Sequence, residues 1–298
     1  MNQNKIKFHS GFVTIIGRPN VGKSSLMNKM IGEKIAIVSS KPQTTRSRIM
    51  GVLSGTDHQI VFLDTPGIHD PRTKLGEYMM HAVRDAMDGM DAVLVLFDVT
   101  HITENDLKIA EGMKDKKVPV VLALNKIDLA TPEQVLSATA KSAEAGFVEI
   151  IPVSAKSGDG ISELIRCLQN YLPEGPKYFP EDMITDQPER ILCAEIIREK
   201  ALRNLRDEVP HGIGIEIMKI EAISNKLTEI NATIYCERAA HKGIIIGKNG
   251  NMLQTIGTEA RLDIEKLMDT HINLKLWVKI RPDWRNNVSD LKNLGYDS

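Results

Sequence analysis

The sequence predicts two mixed domains in series: an α/β domain with a mostly parallel sheet, then a smaller α+β domain. Three observations carry this. Apolar β-branched runs alternate with helical patterns up to residue 172, a stretch rich in proline and acid follows, and the element order changes behind it. At 298 residues the chain is long enough for two separate cores. The expected boundaries are a first domain over 1–175, a linker over 176–189, a second domain over 190–285 and a tail over 286–298.

Five short apolar runs read as buried strands: 12–16 (FVTII), 60–63, 92–97, 118–124 and 149–153. Helical patterns lie between them at 23–31, 74–87, 104–113 and 131–145, and a closing helix spans 161–172 before Pro173 and Pro176 stop it. Such alternation demands crossovers, so the sheet is parallel and covered on both faces. After the linker come a helix over 190–206, strands over 214–223 and 226–236 joined by a turn at Ser224 and Asn225, and a short helix. A long helix over 251–268 and a strand over 272–280 complete the order.

Hydrophobic residues at 42% and charged residues at 26% suit a folded soluble protein and exclude a disordered or fibrous one. The first ten residues lack the apolar core of a secretory signal, and no run reaches the roughly 18 apolar residues of a membrane span, so a cytoplasmic protein is expected. Lys and Arg total 38 against 39 for Asp and Glu, dividing as 20 against 20 up to residue 175 and 18 against 19 beyond it. Bulk charge therefore gives no support to nucleic-acid binding; any such case rests on local placement. The three cysteines, Cys167, Cys193 and Cys236, have no close spacing and read as small buried apolar residues.

Residues 17–24 read GRPNVGKS and fall between the first strand and the first helix, the setting a phosphate loop requires. Gly17, Arg18, Pro19, Asn20, Val21 and Gly22 offer backbone N–H groups as a nest, and the helix start adds the positive end of its dipole. Lys23 reaches the β- and γ-phosphates, Ser24 takes a magnesium position, and Ser25 extends the nucleotide contact. The strand at 60–63 delivers Asp64, Thr65, Pro66 and Gly67 to the same sheet edge, where Asp64 is placed to hold Mg2+ and Gly67 to approach the γ-phosphate.

Guanine rather than adenine is expected from residues 125–128 (NKID). The Asp128 carboxylate accepts from guanine N1–H and its exocyclic amine, a pair of donors adenine lacks in that arrangement, leaving a buried charged acceptor unpaired. Asn125 braces the base loops, the Lys126 stem covers one ring face, and Ser154, Ala155 and Lys156 follow the last strand, with the Ala155 N–H as donor to O6. The polar, aperiodic segment 41–48 (KPQTTRSR) reads as a mobile loop in which Thr44 or Thr45 gives its hydroxyl to Mg2+ and its N–H to the γ-phosphate. Lys23, Thr45 and Gly67 are the groups expected to act in catalysis.

This ordered set resembles the translation-factor-related GTPases and implies a P-loop NTPase G domain hydrolysing GTP with Mg2+. Many of those proteins carry a water-orienting glutamine after the DTPG stretch; here Ile68 stands there. Slow intrinsic hydrolysis is therefore expected, with water placed by backbone groups, potassium or a partner.

In the second domain, residues 244–250 read IIIGKNG, similar to the GxxG loop of KH domains, and the α-β-β-α-α-β order resembles the type II KH fold. Gly247, Lys248, Asn249 and Gly250 form the loop, Ile246 precedes it, and Arg238, Lys242 and Lys248 supply cations to a segment free of acids. The family pattern there is GKGG, and asparagine tolerates the backbone angles that the replaced glycine adopts. Lys279, Arg281 and Arg285 read equally as RNA contacts or as a solvated strand face.

Together KPQTTR, DTPGIH, REKALRNLRDEVPHGIGIEI, GIIIGKNGNMLQTIGTEAR and DWRNN are similar to the bacterial Era family over almost the whole chain. That resemblance implies binding to the 3′ end of small-subunit ribosomal RNA, assistance in assembling the small ribosomal subunit, a monomeric state and peripheral contact with the inner membrane, for which the sequence shows no anchor. An RNA-binding chaperone with a structural nucleotide site, and a protein-partner switch without RNA, stay open at this level. Replacing Ile68 with alanine is expected to leave nucleotide affinity nearly unchanged in a fluorescence titration; loss of binding contradicts its assignment.

Overall fold

The computed structural model describes residues 7–39, 41, 43–206 and 209–296. Residues 1–6 at the N-terminus, Pro42 of the expected mobile loop, and Asp207 and Glu208 of the REKALRNLRDEVPHG stretch lie outside the described residues. The first part of the chain runs β1 (His9–Ile16), α1 (Lys23–Ile31), β2 (Ile49–Ser54), β3 (His58–Asp64), α2 (Lys74–Asp85), β4 (Ala92–Asp98), α3 (Glu104–Glu111), β5 (Val120–Asn125), α4 (Pro132–Ala143), β6 (Glu149–Pro152) and α5 (Ile161–Asn170). The sheet order is β2-β3-β1-β4-β5-β6. Only β2 runs antiparallel, against β3.

Period-two alternation along β4 shows how both faces are filled. Leu94 and Leu96 join Val13, Ile15, Leu26, Met27, Leu164 and Leu168 on one side, while Val93, Val95 and Phe97 join Ile109, Met113, Leu124 and Ala138 on the other. Near-continuous apolar strands are thus the mark of a sheet buried twice. All parallel strands end at one edge, where the loops after β1, β3, β5 and β6 converge.

Two features of this first part of the chain depart from the sequence reading. A sixth strand, β2, was not expected, because its short run IMGVLS is interrupted by Gly51. That glycine is needed for close packing, since a Cβ there would sit 2.3 Å from Ile31 Cδ1 and 2.6 Å from Ile35 Cδ1. The expected linker is also more engaged than its composition suggested. Ile184 O accepts from Val52 N (2.9 Å), Thr185 Oγ1 donates to Met50 O (2.7 Å), and Gln59 holds the backbone of Tyr178 and Phe179. This segment covers the outer edge of β2, which would otherwise present unpaired backbone groups.

Residues to Ala36, Thr45–His69 and Met80–Asp186 form one compact unit, while Ile37–Thr44, Asp70–Met79 and Gln187 onward form the other. The contiguous domains expected from sequence are therefore crossed by two short segments. Within the second unit, Glu199 Oε2 accepts from Val38 N (3.3 Å) and Arg198 donates to the Thr44 carbonyl.

That unit also contains α6 (Glu189–Asn204), β7 (Gly214–Ser224), β8 (Leu227–Cys236), α7 (Ala239–Ile246), α8 (Asn251–Met268), β9 (His271–Ile280) and α9 (Val288–Asn293). Its sheet order is β7-β8-β9, antiparallel then parallel. Ile215, Ile217, Ile230, Ala232 and Ile234 meet Cys193 and Ile197 of α6 and Ile256, Ala260 and Ile264 of α8 in one core. Cys193 and Cys236 are fully buried as expected, whereas Cys167 is only half-buried.

The chain beyond β9 also packs onto this unit. Trp284 is fully buried, its Nε1 donates to Gly212 O (3.0 Å), and its ring stacks with Tyr296 at 6.4 Å. Arg281 lies over the Tyr235 ring and pairs with Asp290, and Arg285 grips Glu237 with two hydrogen bonds of 3.0 and 2.7 Å. Both arginines are thus engaged in the fold. Trp284→Ala should lower stability by about 3–5 kcal/mol through the cavity it leaves, measured by urea denaturation; a loss under about 1 kcal/mol contradicts the burial of this ring.

Candidate functional site

The phosphate loop is shaped by backbone angles that few residues accept. Gly22 has φ 102°, Asn20 has φ 65°, and a Cβ on Gly22 would meet the Asn125 side-chain nitrogen at 2.3 Å. α1 begins at Lys23, so its unpaired N–H groups face the loop. Lys23 is buried, and its Nζ donates to Gly17 O (3.0 Å) and Arg18 O (3.1 Å), across the cradle where phosphate oxygens are expected. Burial pulls its ammonium down to about 8, against the raising effect of Asp64.

Three oxygens meet beside it. Ser24 Oγ lies 2.8 Å from Thr45 Oγ1 and donates to Asp64 Oδ2 at 2.5 Å, while Thr45 Oγ1 is 3.4 Å from the same carboxylate oxygen. Asp64 is fully buried, and its second oxygen, Oδ1, has no hydrogen-bond partner. Burial pushes this carboxyl up to about 6, with the Lys23 charge opposing the shift. A buried carboxylate with an orphaned oxygen, two converging hydroxyls and only hard oxygen donors fits Mg2+, which keeps waters in its shell and takes few protein ligands.

This geometry distinguishes the two threonines. Thr45 points into the oxygen cluster, whereas Thr44 Oγ1 donates to Lys41 O (2.7 Å). Several other residues expected at the nucleotide have side chains engaged elsewhere in the fold. The Arg18 guanidinium turns away to Asp106 and His101, Val21 is packed in the core, and Thr65 Oγ1 donates to Ile15 O (2.8 Å). Gly67 abuts the phosphate loop, where an added Cβ would lie 2.6 Å from Pro19 N; Pro66 is buried beside it. Ile68 packs against the core and its N–H donates to Gly17 O (3.2 Å). His69, missed in the sequence, places Nδ1 2.9 Å from Gly67 O.

A cavity of about 370 Å³ opens next to the phosphate loop, lined by Gly22, Ser25, Asn125, Lys126, Asp128, Leu129, Ala155 and Lys156. Its walls are held together by Asn125, whose Nδ2 donates to Val21 O (2.8 Å) and whose Oδ1 accepts from Ala155 N (3.0 Å). The Ala155 N–H expected at guanine O6 is thus taken up by Asn125 in this structure. Asp128 Oδ1 accepts from Ser154 Oγ (2.7 Å), which fixes the carboxylate toward the cavity wall. Leu129 adds an apolar rim, 63% exposed, that the sequence reading did not include.

The second unit holds a groove of about 370 Å³ between α8 and β9. Leu253, Leu274 and Leu276 supply an apolar floor, Gln254, Thr258 and Arg261 polar groups, and Gly250 and Gly257 close the rest. Of the expected loop residues, Gly250 lines the groove, Lys248 and Asn249 are exposed beside it, and Ile246 packs on the core. Asn249 adopts φ 54°, ψ 25°, within reach of asparagine, and Gly247 adopts φ 74°, ψ 174°, a region glycine alone occupies readily. Arg238 is exposed at the start of α7, and Lys242 is half-buried on it. The groove side chains escaped the sequence reading because they lie scattered on one face of a long helix; spacing at 250, 253, 254, 257, 258 and 261 was the available signal.

Both parts of the chain match known protein families. A family model described as a 50S ribosome-binding GTPase matches residues 12–126, and a KH domain model matches residues 208–285. A GTPase Era of Clostridium botulinum (strain Eklund 17B / Type B) is 53% identical over 291 residues, 97% of this chain and 99% of that protein. A GTPase Era of Clostridioides difficile (strain 630) is 53% identical over 294 residues, 97% of this chain and 99% of its own. Among solved structures, Era in complex with MgGDPNP and nucleotides 1506-1542 of 16S ribosomal RNA is 38% identical, covers 98% of this chain and 100% of that one, and superposes with a TM-score of 0.94.

Asn125→Ala removes the partner of two backbone groups between which the base must slot. GDP affinity should fall about 10- to 100-fold in a fluorescence titration; unchanged affinity contradicts the bracing role.

Proposed function

The chain belongs to the Era family of GTPases, and from that premise we propose that it hydrolyses GTP to control its binding to the 3′ end of small-subunit ribosomal RNA during assembly of that subunit. The observation that carries the nucleotide half is the meeting of Ser24, Thr45 and Asp64 around an unpartnered carboxylate oxygen beside Lys23. The RNA half is supported by the apolar groove with its polar rim behind a GxxG loop, and by the relative solved with a 16S ribosomal RNA fragment.

In the proposed reaction Lys23 leaves the Gly17 and Arg18 carbonyls for the phosphate oxygens, where its charge offsets the negative charge that grows during phosphoryl transfer. Ser24, Thr45 and Asp64 are the residues that would hold Mg2+. The ion, when bound, neutralises charge shared by the β- and γ-phosphates. Thr45 and the Gly67 N–H approach the γ-phosphate from the two loops and lose their contacts once it departs. Asn125, Lys126 and Asp128 hold the base and contribute equally to GTP and GDP.

Attack by water lacks an amide to orient it, because Ile68 is packed in the core and its N–H is bonded to Gly17. The finer part of the proposal is that potassium supplies this positioning, together with backbone groups. A monomeric state, a cytoplasmic location and peripheral contact with the inner membrane complete the proposal; no helix among the described residues is long and apolar enough to cross a membrane.

Steady-state phosphate release tests the enzyme: turnover well above a Lys23→Ala control, and reduced when sodium replaces potassium, is expected. Crosslinking in cells should recover the 3′ end of small-subunit ribosomal RNA, and a Leu253→Asp variant should lose it while keeping GTP turnover. Release equal to the Lys23→Ala control removes the GTPase reading, and recovery of unrelated RNA or none removes the ribosomal one.

A further inference from the structure

The stretch from the end of β4 through the first turn of α3, residues 98–106, supplies no lining residue to the base cavity, yet two of its carboxylates are bonded to the nucleotide-binding loops. Asp98 ends β4 and stands beside Asn125 in strand register. Its Oδ2 accepts from Lys126 Nζ at 2.6 Å, and its Oδ1 accepts from the N–H and hydroxyl of Thr100 at 3.0 and 2.6 Å. Both oxygens are anchored, so the carboxylate cannot swing, and the ammonium of Lys126 is held at a fixed point. Lys126 itself sits at φ 69°, an angle that is strained for a lysine and needs support.

Asp106 does the same for the phosphate loop. It is fully buried, its Oδ1 accepts from Arg18 Nε at 2.7 Å, and its Oδ2 accepts from the N–H and hydroxyl of Thr103, each at 2.8 Å. Arg18 adds a second bond, to His101 O at 3.0 Å. A buried carboxylate is costly unless fully paired, and this one spends its pairing on the residue that precedes Pro19 and Asn20. That limb of the loop in turn abuts Gly67. The Arg18 guanidinium is thereby held by Asp106 and His101.

We propose that Asp98 and Asp106 are positioning residues, one fixing the Lys126 stem over the base and the other fixing the 18–20 limb against Gly67 at the γ-phosphate. The two acts are separable. The base contact is the same in GTP and GDP, so its loosening raises KM without slowing the step; the limb contact matters when the γ-phosphate is present, so its loosening lowers kcat. This inference rests on the GTPase reading above, which wild-type turnover tests independently.

The test is steady-state phosphate release over a range of GTP concentrations, with GDP affinity by fluorescence, on the full-length protein and its Asp98→Asn and Asp106→Asn variants. Asp98→Asn should raise KM and the GDP Kd together by about three- to tenfold with kcat held within about twofold. Asp106→Asn should lower kcat about tenfold with GDP Kd held within about twofold. Should Asp106→Asn fail to fold, Arg18→Lys, which keeps the charge and loses the fork, should lower kcat in the same manner with a smaller change. General loosening would move KM and kcat by equal factors in either variant; that pattern, or no change in Asp98→Asn, overturns the proposal.

Discussion

The first unit is organised around two opposite charges that are costly to bury. Lys23 and Asp64 are both buried at the carboxyl edge of the sheet, with the ammonium pulled down to about 8 and the carboxyl pushed up to about 6. Their environment raises the cost of both charged forms, and one carboxylate oxygen has nothing to bond. In the function proposed above, a triphosphate with its metal supplies the missing partners. Around this pair the loops are built to close tightly: Gly22 passes against Asn125, and Gly67 passes against Pro19. The sheet exists, in functional terms, to bring these loops to one rim.

Much of that rim was legible in the chain because its chemistry is local in sequence. GRPNVGKS, DTPG and NKID each follow an apolar strand, and a strand end fixes where a side chain emerges. Long helices with clear periodicity were legible too; α8 was expected over its full span. Three kinds of feature were not. β2 was hidden by Gly51, whose value lies in packing against Ile31 and Ile35. The 177–185 segment has no periodicity of its own, since its order comes from backbone bonds to Met50, Val52 and Gln59. The choice between Thr44 and Thr45 depends on side-chain direction in an irregular loop, which spacing does not carry.

The second unit gives the complementary lesson. Its GxxG loop was readable, down to the left-handed angle that Asn249 accommodates in place of glycine. The groove behind it was not, because Leu253, Gln254, Thr258 and Arg261 become neighbours of Leu274 and Leu276 only when α8 lies along β9. Likewise Arg281 and Arg285, which the sequence left open between RNA contacts and a solvated strand face, are occupied by Tyr235, Asp290 and Glu237. Their partners lie 9 to 48 residues away, beyond what local pattern can reveal.

The central claim is that converging loops hold a magnesium-bound triphosphate through a guanine-selective pocket. Calorimetric titration of the intact protein with the magnesium complexes of non-hydrolysable guanine and adenine triphosphates addresses it directly. The account predicts uptake of the guanine compound with a preference of at least about 100-fold over the adenine one, lost when magnesium is chelated. Equal uptake of both, or binding indifferent to the metal, would contradict it.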